Sequence, residues 1–252
     1  MVPNTVLNTV DGISVGGKVV VCSQVLISAL VRVGDLFTVA FCRPGAKSWF
    51  VSALGKICPP IDVVFYEGKV YTVDIDGNLC SIIVEEDIGS GKLSLSRIER
   101  VVTEAPSFPW PFSGAGRCTM RHYLVESCGA LLLVRRRIFR QPSRDGLYDT
   151  SKVVRIEFEV LKANFQSSQW VKVTSVGDDQ VLFVGVRSQS ICVSQYMQKG
   201  NCIFFLHETE RYFDDAPSSY SIYDMSDETV HSPHPRGSCK GKKLPATWLF
   251  PR

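Results

Sequence analysis

The sequence has little that would place the protein in a membrane or in the secretory pathway. None of its 252 residues belongs to a run of the ~18 uninterrupted apolar residues that a membrane helix requires. The longest candidate, residues 19–31, is interrupted by polar side chains. The N-terminus has no basic region followed by an apolar core, and no Asn-x-Ser/Thr glycosylation site occurs. We therefore expect a protein of the cytoplasm, the nucleus or both, without a membrane partner.

Charge and cysteine spacing exclude further classes. The 28 Lys and Arg exceed the 25 Asp and Glu by only three, which is too small a surplus to predict nucleic-acid binding. Nine cysteines are present, but none has C-x-x-C spacing and most lie in apolar runs. A free thiol in such a run behaves as a small core hydrophobe, and intracellular proteins keep their thiols reduced. We expect no disulfide and no bound metal.

The hydrophobic pattern is that of an all-β protein. Three β-rich runs separated by two glycine-containing turns predict an antiparallel meander over residues 62–66, 69–73 and 79–83. The same type of turn precedes the apolar runs 130–134, 180–184 and 202–205. Residues 153–160 alternate between apolar and polar, as a half-buried strand does. Helical periodicity over a dozen residues is absent.

Turn signals every ten or so residues fit a sandwich, a barrel or a propeller. A sandwich needs only ~100 residues, whereas propeller blades of ~40–50 residues would fit this chain about five or six times. We therefore predict a β-propeller of antiparallel four-stranded blades, with helix in less than about one tenth of the chain. The proline-rich residues 104–116 and the polar residues 225–243 are predicted loops.

The apolar residues 248–250 near the C-terminus are predicted to pack into a blade as its last strand. If Trp248 is a buried core residue there, its replacement by alanine should cost about 3–5 kcal/mol.

Several short motifs resemble functional sites but lack the context that the chemistry needs. Residues 12–16 spell the G-x-S-x-G of a hydrolase nucleophile elbow, but a strand-like run follows where a helix is required, so we expect a flexible turn. Residues 89–92 lack the first glycine and the Ser/Thr of a phosphate loop, which favours a hairpin turn. His231, His234 and Cys239 have zinc-ligand chemistry, but the prolines and glycine among them favour a loop.

The remaining candidates also favour structural roles. His122 and His207 lie in strand-like segments and are predicted sheet residues, while the Asp178–179 and Asp214–215 pairs are predicted turn-formers. The densest basic cluster contains Arg135, Arg136, Arg137, Arg140 and Arg144. It is interpreted either as a nuclear-import or anion-binding site or, more simply, as a strand end with solvated arginines. We therefore predict no catalytic, cofactor-binding or metal-binding residue, no cofactor and no enzymatic activity.

Several sequence blocks resemble one family in the same order along the chain. These blocks are residues 41–49, with Arg-Pro-Gly and a tryptophan, residues 62–74, residues 123–135 (YLVESCGALLLVR), Trp170 followed by residues 181–185, residues 200–205 and residues 248–251. Together they are similar to the KIB-type β-propeller family of plants, long catalogued as a domain of unknown function. The similarity extends over residues 18–252, which are the predicted propeller domain.

The resemblance implies a role in protein recognition. In that family the propeller usually follows an N-terminal F-box that docks on the Skp-type adaptor of a cullin ubiquitin ligase, and the propeller is thought to recruit the target protein. Residues 1–17 contain no F-box with its Leu-Pro start. We expect a target-binding propeller without adaptor binding. The alternatives are a propeller enzyme, which needs converging carboxylates or a histidine-bearing pocket, and a truncated family member without independent function.

Overall fold

The structure is a computed structural model that describes residues 5–7, 13–46, 48–52, 59–86, 93–103, 105–106, 117–141, 152–194, 199–206, 220–231 and 248. None of these residues lies in an α-helix, and this part of the chain has no helix long and apolar enough to cross a membrane. Its strands are β1 (Thr5–Leu7), β2 (Ile13–Val21), β3 (Ile27–Val33), β4 (Leu36–Cys42), β5 (Trp49–Val51), β6 (Asp62–Tyr66), β7 (Lys69–Val73), β8 (Leu79–Glu86), β9 (Leu93–Val102), β10 (Arg117–Ser127), β11 (Ala130–Gln141), β12 (Lys152–Asn164), β13 (Gln169–Val173), β14 (Gln180–Val184), β15 (Gln189–Cys192), β16 (Cys202–Leu206), β17 (Tyr220–Asp224) and β18 (Thr229–His231).

The described strands form four sheets, which confirms the predicted all-β propeller class with sheets as blades. Sheet A has the order β1-β5-β4-β3-β2, sheet B β6-β7-β8-β9, sheet C β10-β11-β12-β13, and sheet D β15-β14-β16-β17-β18. Strands β14 and β16 pair in parallel, and the other pairs whose register is defined are antiparallel.

The described residues form four blades, fewer than the five or six that length arithmetic suggested for the whole chain. Strands β10, β11 and β12 have 11, 12 and 13 residues. These lengths are about twice the ~5–6 residues of an ordinary strand. A blade built from such long strands uses more of the chain than an ordinary blade does.

The chain divides into two compact units, Met1–Pro106 with Ala163–Val171, and Ser107–Lys162 with Lys172–Arg252. Unit 1 contains sheets A and B, whose apolar faces share one core. The members of this core are Cys22, Leu30, Val39, Phe41, Phe50, Val63, Val70, Cys80 and Ile82. A buried ion pair between Lys18 and Asp62, with an N···O distance of 2.8 Å, joins β2 to β6 beside it.

The turn between β7 and β8 is fixed by its side chains. Asp74 accepts hydrogen bonds from the backbone N–H of Asp76 and Asn78 at 3.0 and 2.8 Å. Gly77 has a φ of 84°, and a Cβ there would lie 2.5 Å from the Cβ of Ala105, so only glycine fits this approach. The Trp170 indole N–H donates to the Gly77 carbonyl at 2.7 Å. These contacts stabilise the turn between β7 and β8.

Unit 2 has its own core between sheet C and sheet D. Its buried members are Tyr123, Val125, Leu132, Val134, Phe158, Val160, Leu182, Val184, Ile203, Phe205 and Tyr223. Burial raises the pKa of Tyr223 to about 12. Each of the strands β14 and β16 contributes alternate residues to this core and turns the others toward the opposite face of sheet D.

None of the seven cysteines that the structure describes forms a disulfide. Burial raises the pKa of the Cys22, Cys42 and Cys202 thiols, which lowers their thiolate fraction and their reactivity. The reduced state of all nine cysteines stays a prediction, which the mass of the protein after alkylation with and without prior reduction will test.

Candidate interaction surfaces

The G-x-S-x-G motif is not the flexible turn that the sequence suggested. Residues 13–16 belong to strand β2, and the pairing of β2 with β3 shifts register between Val15 and Val19. The pair Gly16-Gly17 lies in this irregularity, as glycine often does where a strand bulges. The expected turn was wrong, and the strand continues past the serine without the strand-to-helix turn that a nucleophile elbow requires.

The other short motifs fall largely outside the described residues. Residues 89–92, His207, His234, Cys239 and the Asp214–215 pair lie there. His231 ends β18, is exposed, and its Nε2 lies 2.9 Å from the Thr229 hydroxyl oxygen. Asp178 and Asp179 lie in the turn before β14, as predicted. Among the residues that can be described, no group of three or more His, Cys, Asp and Glu side chains could hold a metal ion.

The arginine cluster is where the structure differs most from the interpretation drawn from the sequence. Arg135, Arg136 and Arg137 lie in the middle of β11 and expose only 4, 3 and 5% of their surface. The expected strand end with solvated arginines was therefore wrong. A nuclear-import receptor needs accessible side chains, so the folded protein cannot present these three arginines as an import signal.

Cross-strand carboxylates explain this burial. Arg135 pairs with Glu159 of β12, with Nε donating to Oε2 at 2.8 Å, and Arg137 forms an ion pair with Glu157. Arg155 also contacts Glu157 from the same strand. Opposite charges in register on neighbouring strands stabilise a sheet, and a buried charge requires such a partner. We name this set of charged residues on sheet C the ion-pair ladder.

The ion-pair ladder is the nearest approach to the converging carboxylates that an enzyme would need. Glu157 and Glu159 share a face of β12, but each is engaged by arginine. His122 is buried on β10 opposite Arg135, which agrees with the predicted sheet role. Each carboxylate is occupied by an ion pair with a neighbouring arginine rather than directed at a shared pocket. The ladder therefore has the chemistry of a structural element.

Arg136 points to the other face of β11 and belongs to the core of unit 2. Its guanidinium carbon lies 4.5 Å from the centre of the Phe205 ring, and one of its terminal nitrogens donates to the Leu206 carbonyl at 3.1 Å. This cation–π contact in a desolvated site fixes β11 against β16. No anion-binding role follows from it.

Sheet D carries an aromatic surface on the face opposite the core, formed by Phe183, Phe204, Tyr220 and Trp248. Phe183 and Phe204 stack with their ring centres 4.8 Å apart, because β14 and β16 place them side by side. Tyr220 stacks on Phe204 at 6.2 Å. Tyr220 is 41% exposed and the other three rings are partly buried. Four adjoining rings at the surface provide the kind of anchor that protein interfaces use.

Trp248 completes the aromatic surface from a distant part of the chain. Its ring meets Phe183 edge-on at 5.0 Å and Tyr220 edge-on at 6.1 Å. Its indole N–H donates to the Val184 carbonyl at 3.0 Å. Trp248 therefore packs on a blade as predicted, but it is only partly buried and has no strand assignment. A loss of 3–5 kcal/mol belongs to a fully buried ring, so we expect Trp248→Ala to cost about half as much.

Sequence reasoning missed this surface because its residues look like core. Phe183 and Phe204 lie in the uninterrupted apolar runs Val-Leu-Phe-Val and Ile-Phe-Phe-Leu, which do not show which face is exposed. The lack of alternation between apolar and polar residues was itself a usable signal. A strand that is apolar on both faces needs other residues packed against each face.

Buried Asn201 holds the turns at one end of sheet D. Its backbone N–H donates to the Gly177 carbonyl at 3.0 Å, its Oδ1 accepts the Val176 N–H at 3.0 Å, and its Nδ2 donates to the Ser226 hydroxyl at 3.1 Å. One side chain thus connects the turn before β14 to the turn between β17 and β18. We name this arrangement the Asn201 junction.

An ion pair also stabilises the end of sheet D that contains the Asn201 junction. Lys199 forms an ion pair with Asp224, and this hydrogen-bonded partner lowers the pKa of the Asp224 carboxyl. Asp224 also accepts the Ser226 N–H at 2.9 Å. These turns present exposed Asp178, Asp179 and Asp227 on a fixed frame. Loops on a rigid scaffold are where proteins commonly place binding residues.

Comparison with known proteins gives one result. No curated protein and no solved structure matches the chain. The family model described as KIB1-4 beta-propeller matches residues 10–224, which is most of the chain, and confirms the resemblance seen in the sequence blocks. The protein therefore belongs to the KIB1-4 β-propeller family.

Proposed function

We propose that the protein is a protein-recognition propeller whose aromatic surface contacts a target protein. The observation that carries this proposal is the exposure of Tyr220 within the four adjoining rings of sheet D. Aromatic side chains are enriched at interface hot spots, since each contributes a large apolar area at a low cost in conformational entropy. An exposed apolar cluster rimmed by polar turns is a common mark of a binding surface.

The family supports a more specific version of this role. The resemblance to target-binding parts of F-box proteins leads us to propose that the propeller recruits a target for a cullin ubiquitin ligase in the cytoplasm or nucleus. We further propose that this 252-residue chain does not bind a Skp-type adaptor by itself.

An affinity-capture experiment tests the target-binding role. The tagged protein and its Tyr220→Ser variant serve as baits in extract of cells that produce the protein, with chemical crosslinking and mass spectrometry as the readout. Val153→Ser is the matched control, because Val153 is a 39% exposed apolar residue of β12 outside the aromatic surface. We expect a target that crosslinks to the wild type and to Val153→Ser and is at least tenfold depleted with Tyr220→Ser.

The comparison requires that the three proteins have equal melting temperatures. We expect this, because Tyr220 and Val153 are both exposed and their replacement should change stability little. A target that binds all three proteins equally would contradict a role for the aromatic surface. The adaptor is tested separately by calorimetric titration of the 252-residue chain with a purified Skp-type adaptor. We expect no heat of binding, and a micromolar or tighter complex would overturn the adaptor proposal.

A further inference from the structure

Strand β9 forms one edge of sheet B. Of the strands that the structure describes, only β8 pairs with β9, and the described backbone hydrogen bonds outside the strands do not involve residues 93–102. Arg97, Glu99 and Arg100 are exposed, so side chains on both faces of the strand reach solvent. An exposed edge presents a row of backbone N–H and C=O groups with which a further strand can pair.

Two features of β9 restrict which strands can pair with this edge. The pairing of β8 with β9 shifts register twice, and the regular stretch between the two shifts is residues 97–100. Of these residues, only Ile98 is uncharged. Bulges and charges on an edge disfavour pairing with an unrelated strand, because a charge that loses water without gaining a partner costs free energy. A strand that pairs here must therefore be short and must carry matching charges.

A second copy of β9 carries the matching charges. Arg97 and Glu99 lie on one face of the strand, on either side of Ile98, and form an exposed ion pair with an N···O distance of 3.1 Å. If two copies of β9 pair antiparallel about Ile98, Arg97 of each copy lies directly opposite Glu99 of the other. Unlike charges in directly opposite positions stabilise a pair of strands. Each charge then has an opposite charge beside it on its own strand and another across the interface.

The order of the charges favours this register over its neighbours. A slip of one residue places Arg97 opposite Ile98 or Arg100 of the other copy, so that no unlike charges are paired. A slip of two residues places Arg97 opposite Arg97 or Glu99 opposite Glu99, and like charges in such positions destabilise the pairing. The same charges that disfavour unrelated strands therefore favour one alignment with a second copy.

We propose that β9 is a self-association edge, at which two copies of the chain pair antiparallel about Ile98 and join their two copies of sheet B. This inference goes beyond the proposed function and does not depend on it. So short an edge buries less than the ~1,200 Å² of a standard interface, and the dimer therefore exchanges with the monomer. A network of charges contributes more than an isolated exposed ion pair, and added salt weakens it.

Charge reversal tests the proposed edge. Sedimentation equilibrium of the 252-residue chain, at concentrations up to about 0.5 mM, measures the monomer–dimer equilibrium. We expect Arg97→Glu and Glu99→Arg each to weaken self-association at least tenfold, because each variant places like charges opposite one another. An equimolar mixture of the two variants should associate as the wild type does, because every charge then lies opposite an unlike one. The double variant, which exchanges the two charges, should recover self-association in the same way.

Arg32→Glu is the matched control for charge reversal. Arg32 of β3 forms an exposed ion pair with Asp35, with an N···O distance of 3.4 Å, outside sheet B. This variant should dimerise as the wild type does. Exposed ion pairs contribute little to stability, so all variants should have the melting temperature of the wild type in dilute solution, which shows that a lost dimer is not a lost fold.

Three outcomes would overturn the proposal. A wild type that stays monomeric over the whole concentration range has no such edge contact. A dimer that both single variants retain uses another surface of the chain. If both variants lose the dimer and their mixture does not recover it, the two charges do not lie opposite each other. Tyr220→Ser should dimerise normally even if it loses its target, so failure of this proposal and failure of the proposed function are distinguishable.

Discussion

Replacing Glu159 with glutamine is expected to lower the free energy of unfolding by about 3–5 kcal/mol, because it removes the negative charge that pairs with the buried Arg135 guanidinium. Arg135 and Glu159 have side-chain exposures of only 5 and 10%, so water cannot replace the lost carboxylate. Urea denaturation followed by circular dichroism measures this change.

A matched pair on the surface provides the control. Arg97 and Glu99 of β9 form an ion pair with side-chain exposures of 64 and 44%. Exposed pairs contribute little, so Glu99→Gln should change stability by less than about 1 kcal/mol. Replacing Arg135 and Glu159 together by methionine and leucine should recover most of the loss, since both members of the buried charge pair are then removed. A Glu159→Gln protein as stable as Glu99→Gln would show that the ion-pair ladder is hydrated.

Replacing Phe205 with alanine is expected to cost about 3–5 kcal/mol, the range for truncating a fully buried aromatic ring. Phe205 is 0% exposed, packs against Phe158 with ring centres 5.0 Å apart, and lies under the Arg136 guanidinium. The truncation therefore removes apolar contact, an aromatic pair and a cation–π contact together.

Phe37 of β4 is the control for Phe205, because it is the same residue type at 39% exposure. Phe37→Ala should cost about 1 kcal/mol, in proportion to its smaller buried area. Thermal unfolding of both variants gives the comparison. Similar losses for the two variants would indicate that sheet D does not pack on sheet C as described.

Local signals predicted the strands well where turns are defined by glycine. The predicted runs 62–66 and 69–73 coincide with β6 and β7, and the run 79–83 is the first part of β8. Glu67 and Gly68 between β6 and β7 have φ values of 44° and 76°. This left-handed conformation explains why the glycine marks the hairpin in the sequence.

Long-range pairing is what the sequence did not reveal. Whether Arg135 is solvated depends on the register that brings Glu159 opposite to it across a hairpin. The aromatic surface depends likewise on Phe183 pairing with Phe204, and on Trp248 returning from the end of the chain. Periodicity reports on one strand at a time, so it identifies each strand but not the neighbour that neutralises a charge or covers a ring.

The parallel pairing of β14 with β16 has a consequence for the order of folding. A hairpin such as β10–β11 closes between neighbouring residues, whereas β16 can join β14 only after the crossover through residues 185–201 has formed. Closing such a loop costs entropy before its contacts compensate, which slows the step. We therefore expect sheet D to be completed late in refolding. Trp248 makes this step observable, because its indole reaches Phe183 and Tyr220 only when β14 and β17 are in place around β16.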